Sequence, residues 1–149
     1  FSTTMCRRLL HRIGPVRTEQ IGAALSLAGA SVQALGCALL PRTPWPLLLG
    51  HAVYCLGHGI HQPCGQAGAV AELPHLAGRA VSWSGFVMML GAFSTGQIAA
   101  RFADAQYTYG AWPMVVPMLI AGALLVTIAF AWLPRITPAR PHHPRAKPS

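Results

Sequence analysis

Residues 43–71 read Thr-Pro-Trp-Pro-Leu-Leu-Leu-Gly-His-Ala-Val-Tyr-Cys-Leu-Gly-His-Gly-Ile-His-Gln-Pro-Cys-Gly-Gln-Ala-Gly-Ala-Val-Ala, without one Asp, Glu, Lys or Arg. A helix needs about 20 mostly apolar residues to cross the hydrocarbon core, so this stretch can cross with tilt and still carry a proline bend at Pro63. It is not greasy throughout. His51, Tyr54, His58 and His61 follow at steps of three and four, which places them in one stripe on a single helix face. Such a stripe is costly against lipid, so that face is expected to look onto protein or a water-filled cavity, as a substrate pathway would.

Working outward, the rest of the chain agrees. Of 149 residues 53% are hydrophobic and only 9% charged, with mean hydropathy +0.44; a soluble domain carries about 25% charged residues. The composition is that of an all-α membrane protein. A net charge of +8 raises the question of nucleic acid, but the cations are scattered between apolar segments and form no continuous patch. Lipid is therefore the expected partner. Cys6, Cys37, Cys55 and Cys64 sit in or beside apolar runs, where thiols act as small hydrophobes.

Four crossings follow, at residues 20–41, 45–71, 80–100 and 111–133. Residues 1–19 read as the end of a preceding helix and a basic cytoplasmic loop bearing Arg7, Arg8, His11, Arg12 and Arg17. Residues 72–79 form a second cytoplasmic loop, 101–110 a periplasmic one, and 134–149 a basic, proline-rich tail expected to be disordered. With this alternation nine Lys and Arg fall on one side and two on the other, which sets the orientation. Gly22, Ser26, Gly29, Gln33 and Gly36 form a small-residue stripe suited to close helix packing, and Gly85, Ala92, Gly96 and Ala99 suggest another. Tyr107, Tyr109 and Trp112 suit the aromatic belt. The first residue is Phe and no signal pattern precedes the first apolar run, so the chain reads as a C-terminal piece of something longer.

Chemistry-bearing patterns are few. Cys55, His58, His61 and Cys64 recur every third residue, but such steps turn about 300° and leave the two cysteines half a turn apart. One tetrahedral ion cannot collect all four, and no metal or other cofactor is expected. Glu72 and Asp104 flank helix ends and are expected to pair locally, Glu72 with Arg79 or a loop arginine and Asp104 with Arg101. No Ser/His/Asp arrangement, phosphate loop or dinucleotide fingerprint occurs, which argues against an enzyme.

The run Glu-Leu-Pro-His-Leu-Ala-Gly-Arg-Ala-Val-Ser-Trp-Ser-Gly-Phe-Val-Met-Met-Leu-Gly-Ala at 72–92, with Ala-Trp-Pro-Met at 111–114, resembles the C-terminal part of the Bcr/CflA drug-resistance transporters of the major facilitator superfamily. Arg-Arg-Leu-Leu-His-Arg-Ile-Gly at 7–14 is similar to that family's link between helices eight and nine. The resemblance implies that the four crossings are helices nine to twelve of a twelve-helix multidrug efflux antiporter of the bacterial inner membrane. It implies outward movement of drugs or small metabolites in exchange for protons by alternating access. It also implies that His51, Tyr54, His58, His61 and Gln62 line the substrate pathway, because the tenth helix borders the central cavity. Imidazole, with a pKa of about 6.5, suits proton coupling at His58 and His61. The N-terminal half would then be a required partner, and this piece alone is not expected to transport. A self-contained four-helix small multidrug exporter is the rival; it needs a carboxylate in mid-membrane, whereas the acidic residues read here as lying at helix ends. A non-transporting membrane scaffold or assembly partner is a third class.

Overall fold

The structure, a computed structural model, describes residues 2–71, 74–102 and 110–136, and every regular element in them is helical. Helix α1 spans Ser2–Ile13, α2 Pro15–Leu39, α3 Trp45–Ala71, α4 Ala77–Arg101 and α5 Trp112–Thr127. A 3-10 turn, Pro74–Leu76, leads into α4, and α5 runs on through a π-helical turn, Ile128–Trp132, to Leu133–Ile136.

The basic N-terminal segment is a helix where a loop was expected. Residues 2–13 contain no Gly or Pro, so nothing breaks the helix before Gly14, whose φ of 82° reverses the chain. Pro15 then opens α2, its fixed φ and missing N–H suiting a first-turn position, and Thr18 Oγ1 donates to the Gly14 carbonyl at 2.7 Å. The helix therefore begins five residues ahead of the expected residue 20. This places Glu19 inside a helix and corrects its assignment to the loop.

Three helical segments are long and apolar enough to cross a membrane: Pro15–Leu39, Pro74–Arg101 and Trp112–Arg135. They point to a multi-pass membrane protein. Helix α3 is equally long and free of charge, but its His, Gln and Gly residues keep its hydropathy below that of the other three. The fourth crossing is thus not given by length and hydropathy alone.

The core is the α2–α3 pair, with α5 laid on α2 and α1 against the end of α3. Gly22, Gly29 and Gly36 on α2 are buried at seven-residue intervals. A Cβ at Gly22 would meet His61, one at Gly29 would meet the Tyr54 backbone, and one at Gly36 would meet Pro46. The numbers fall on α3 as they rise on α2, so the pair is antiparallel. From the other side, a Cβ on Gly57 would stand 2.5 Å from Ser26 N. Backbone-to-backbone approach of this kind is the helix-pairing mode available in lipid, where apolar side chains gain nothing by leaving one another for hydrocarbon. On α5, Val115, Gly122 and Ala129 are buried with the same seven-residue spacing, and Gly122 meets Leu27 of α2. The π turn frees the Ala129 carbonyl, which accepts from Gln20 Nε2 at 3.2 Å.

Helix α4 stands apart, with no buried residue. The close-packing face expected at Gly85, Ala92, Gly96 and Ala99 does not pack: a Cβ at Gly85 or Gly96 would meet nothing within 4 Å. Small residues permit close approach, but they do not supply the partner. Trp83 and Phe93 are 66% and 64% exposed, part of an apolar surface left uncovered among the described residues.

Candidate functional site

The α2–α3 seam positions the polar side chains. Because the glycines hold the two backbones together, α3 residues one step off the contact line project along its edge. His51 and Tyr54 stack with centroids 6.3 Å apart, Tyr54 and His58 do the same at 6.3 Å, and His58 meets His61 edge to face at 5.0 Å. The four rings make one continuous series along α3, spanning about 15 Å at the helical rise. His51 and His58 are exposed, while Tyr54 and His61 are partly covered.

Each end of the series meets α2. At one end the amide of Gln33, fully buried, lies 3.4 Å from His51 Nδ1; donation there leaves the His51 proton on Nε2. At the other end His61 Nδ1 lies 3.9 Å from Glu19 Oε1, with the side chains only 13% and 15% exposed. The Cys64 thiol, one turn along α3, donates to the Pro15 carbonyl at 3.6 Å and neighbours the same carboxylate. From α1 the buried Cys6 thiol also faces Glu19; burial first, and then the carboxylate's charge, push that thiol up from its ordinary value. Four buried polar atoms have no hydrogen-bond partner among the described residues, Glu19 Oε2, Ser26 Oγ, Gln33 Oε1 and His61 Nε2, and all lie along this seam. Burying such an atom without a partner costs roughly 1–3 kcal/mol, so the polar groups of the seam are held there at the expense of stability.

Tyr54 also borders a second feature. With Ala92, Gly96 and Ala99 of α4 and Met114, Pro117 and Met118 of α5 it lines an open groove of about 410 Å³. The groove is mostly apolar, with Tyr54 and Thr95 among its lining residues; the Thr95 hydroxyl donates to the Gly91 carbonyl of its own helix at 2.8 Å.

Of the expected pathway residues, His51, Tyr54, His58 and His61 come together in the ring series. Gln62 turns to α4 instead, its Nε2 lying 3.2 Å from Met88 Sδ. Pro63 sits within α3, where it leaves the Gly59 carbonyl without its usual helical donor, and the helix continues on both sides. Cys55 is exposed and Cys64 buried, so the two thiols do not converge. Among the described residues no three His, Cys, Asp or Glu side chains are grouped to hold a metal ion. The expected pairings of Glu72 and Asp104, the belt residues Tyr107 and Tyr109 and most of the tail lie outside the described residues.

Glu19 is the polar group of the seam that the sequence reading passed over, and Gln33, read there only as part of a packing stripe, meets His51. The signal for Glu19 was present: it extends the stripe Gly22, Ser26, Gly29, Gln33, Gly36 one step back, and Pro15 marks a helix start ahead of it. Comparisons with protein-family models, curated proteins and solved structures find no match to this chain. The functional reading rests on the site itself.

Proposed function

We propose that the chain is the C-terminal part of a proton-coupled secondary transporter of the bacterial inner membrane, in which α2 to α5 serve as helices nine to twelve and drugs or small metabolites leave by alternating access. The observation that carries this reading is the polar ring series of α3 bordering a largely apolar groove inside an otherwise lipid-compatible bundle. Intramembrane polar and ionisable groups are expensive and mark substrate or proton routes by default. The bare face of α4 supports the same reading, since a helix that buries nothing in its own chain has surface to spare for further helices. The resemblance to Bcr/CflA transporters of residues 7–14, 72–92 and 111–114 adds the exporter class. In this reading the groove takes the lipophilic body of the substrate and Tyr54 offers it a hydroxyl.

A self-contained four-helix exporter draws on one observation: Glu19 is a largely covered carboxylate within a membrane-length helix, although as its fifth residue it lies nearer the end of that helix than its middle. The two readings differ in what must be present for transport.

The test starts from the complete coding sequence. The first reading expects about eight further apolar segments upstream, and transport of lipophilic drugs by the full product in proteoliposomes, with Tyr54→Ala raising KM more than it lowers kcat. Drug transport by this chain alone would favour the four-helix exporter, and no transport by either would leave a scaffold.

A further inference from the structure

We infer that Glu19 and His61 form a proton-carrying pair at one end of the α2–α3 seam, with the rings of His58, Tyr54 and His51 leading away from it. The inference deepens the transporter reading and rests on it for its purpose, though not for its geometry. Glu19 Oε1 and His61 Nδ1 stand 3.9 Å apart, beyond a direct hydrogen bond, so a proton passes between them only when the side chains close or a water enters. The second atom of each group, Glu19 Oε2 and His61 Nε2, is buried and without a partner among the described residues. Among the described residues no Lys or Arg pairs with Glu19; Arg17 on the same helix is exposed.

The groups that face the pair are few. From α1 comes the Cys6 thiol, from α3 the Cys64 thiol and the His58 ring, and the π turn after α5 offers its Ala129 carbonyl to Gln20 rather than to the pair. None carries a permanent charge. The pair is therefore neutral with one proton, negative with none and positive with two, and low-dielectric surroundings resist both charged states. A site of this kind holds one proton until a conformational step admits water or charge.

The transfer balances simply. The O–H bond of protonated Glu19 breaks as the proton passes through water to His61 Nδ1, forming an N–H bond and leaving carboxylate and imidazolium. Loss of the other proton from Nε2 returns His61 to neutrality with its tautomer exchanged. The His58 ring, 5.0 Å away, is the next acceptor in the series. Proton donors and acceptors on this scale of separation make relays in membrane proteins when water bridges them.

The experiment uses the full coding-sequence product in proteoliposomes, with Glu19→Gln, Glu19→Asp and His61→Gln beside the parent. Infrared difference spectra on a pH step should show a carboxylic C=O band in the parent that is absent in Glu19→Gln and shifted in His61→Gln. In Glu19→Gln the ratio of pH-gradient-driven transport to drug counterflow should fall at least about tenfold, as loss of a positioned acid or base requires; Glu19→Asp should recover part of it. An unchanged infrared band and an unchanged pH profile in Glu19→Gln would overturn the pair. Absence of counterflow in the parent would instead sink the transporter reading, and the infrared band would still decide whether Glu19 carries the proton.

Discussion

At the scale of single residues, the seam between α2 and α3 depends on what is missing from its glycines. A Cβ at Gly29 would collide with the Tyr54 backbone, and one at Gly57 would stand 2.5 Å from Ser26 N, neither of which can rotate away. Gly29→Ala and Gly57→Ala are each expected to cost about 1–3 kcal/mol by overpacking, read as a lowered midpoint in detergent unfolding. Gly85→Ala, with open space around it, should be neutral or stabilising by up to about 1 kcal/mol through helix propensity. The same measurement addresses Glu19 and His61. A double-mutant cycle with Glu19→Gln and His61→Gln should return a coupling of roughly 0.5–3 kcal/mol, as for residues sharing one polar network. The glycine stripe was legible in the sequence because its period is regular. The role of Glu19 was hidden by the arginines around it, which make residues 7–17 read as one charged loop.

Among the elements, α3 and α4 have comparable lengths and opposite duties. Ile60 on α3 is 2% exposed, so Ile60→Ala should cost about 2–5 kcal/mol. Phe86→Ala and Phe93→Ala on α4 remove exposed side chains, Phe86 meeting Trp83 of the same helix edge to face, and in detergent they should change stability by no more than about 0.5 kcal/mol. A large loss at α4 would show that the chain buries that helix in a way its own packing does not account for. Pro63 gives α3 a second character. Restoring the donor to the Gly59 carbonyl with Pro63→Ala should raise the melting temperature and lower the turnover of the full transporter, if transport uses a bend there. Residues 80–100 illustrate why helix existence was easier to read than helix packing: hydropathy belongs to the segment, whereas a packing face needs a second surface.

For the whole molecule, three membrane-length helices and an uncharged fourth imply that the chain partitions with lipid. It should sediment with membranes and require detergent for extraction; a monodisperse, folded species in buffer alone would contradict the reading. The nine-to-two division of Lys and Arg further predicts that cysteines introduced at Arg7 and Arg79 react with impermeant reagents from the cytoplasmic face, and one at Arg42 from the opposite face. The described helices leave the ring series open on the side of His51 and His58, a face that is costly to set against lipid.

The sequence by itself determined the class of molecule, because hydropathy, charge bias and proline placement are properties of consecutive residues and need no partner. It also determined the ring stripe, since steps of three and four put His51, Tyr54, His58 and His61 on one face whatever surrounds them. Only the tertiary structure decided that Glu19 belongs to that stripe's end, that Gln33 meets its beginning and that the glycines of α4 meet no neighbouring helix among the described residues. These are facts of which backbone lies against which, and two helices far apart in the chain meet at a register that no local period encodes.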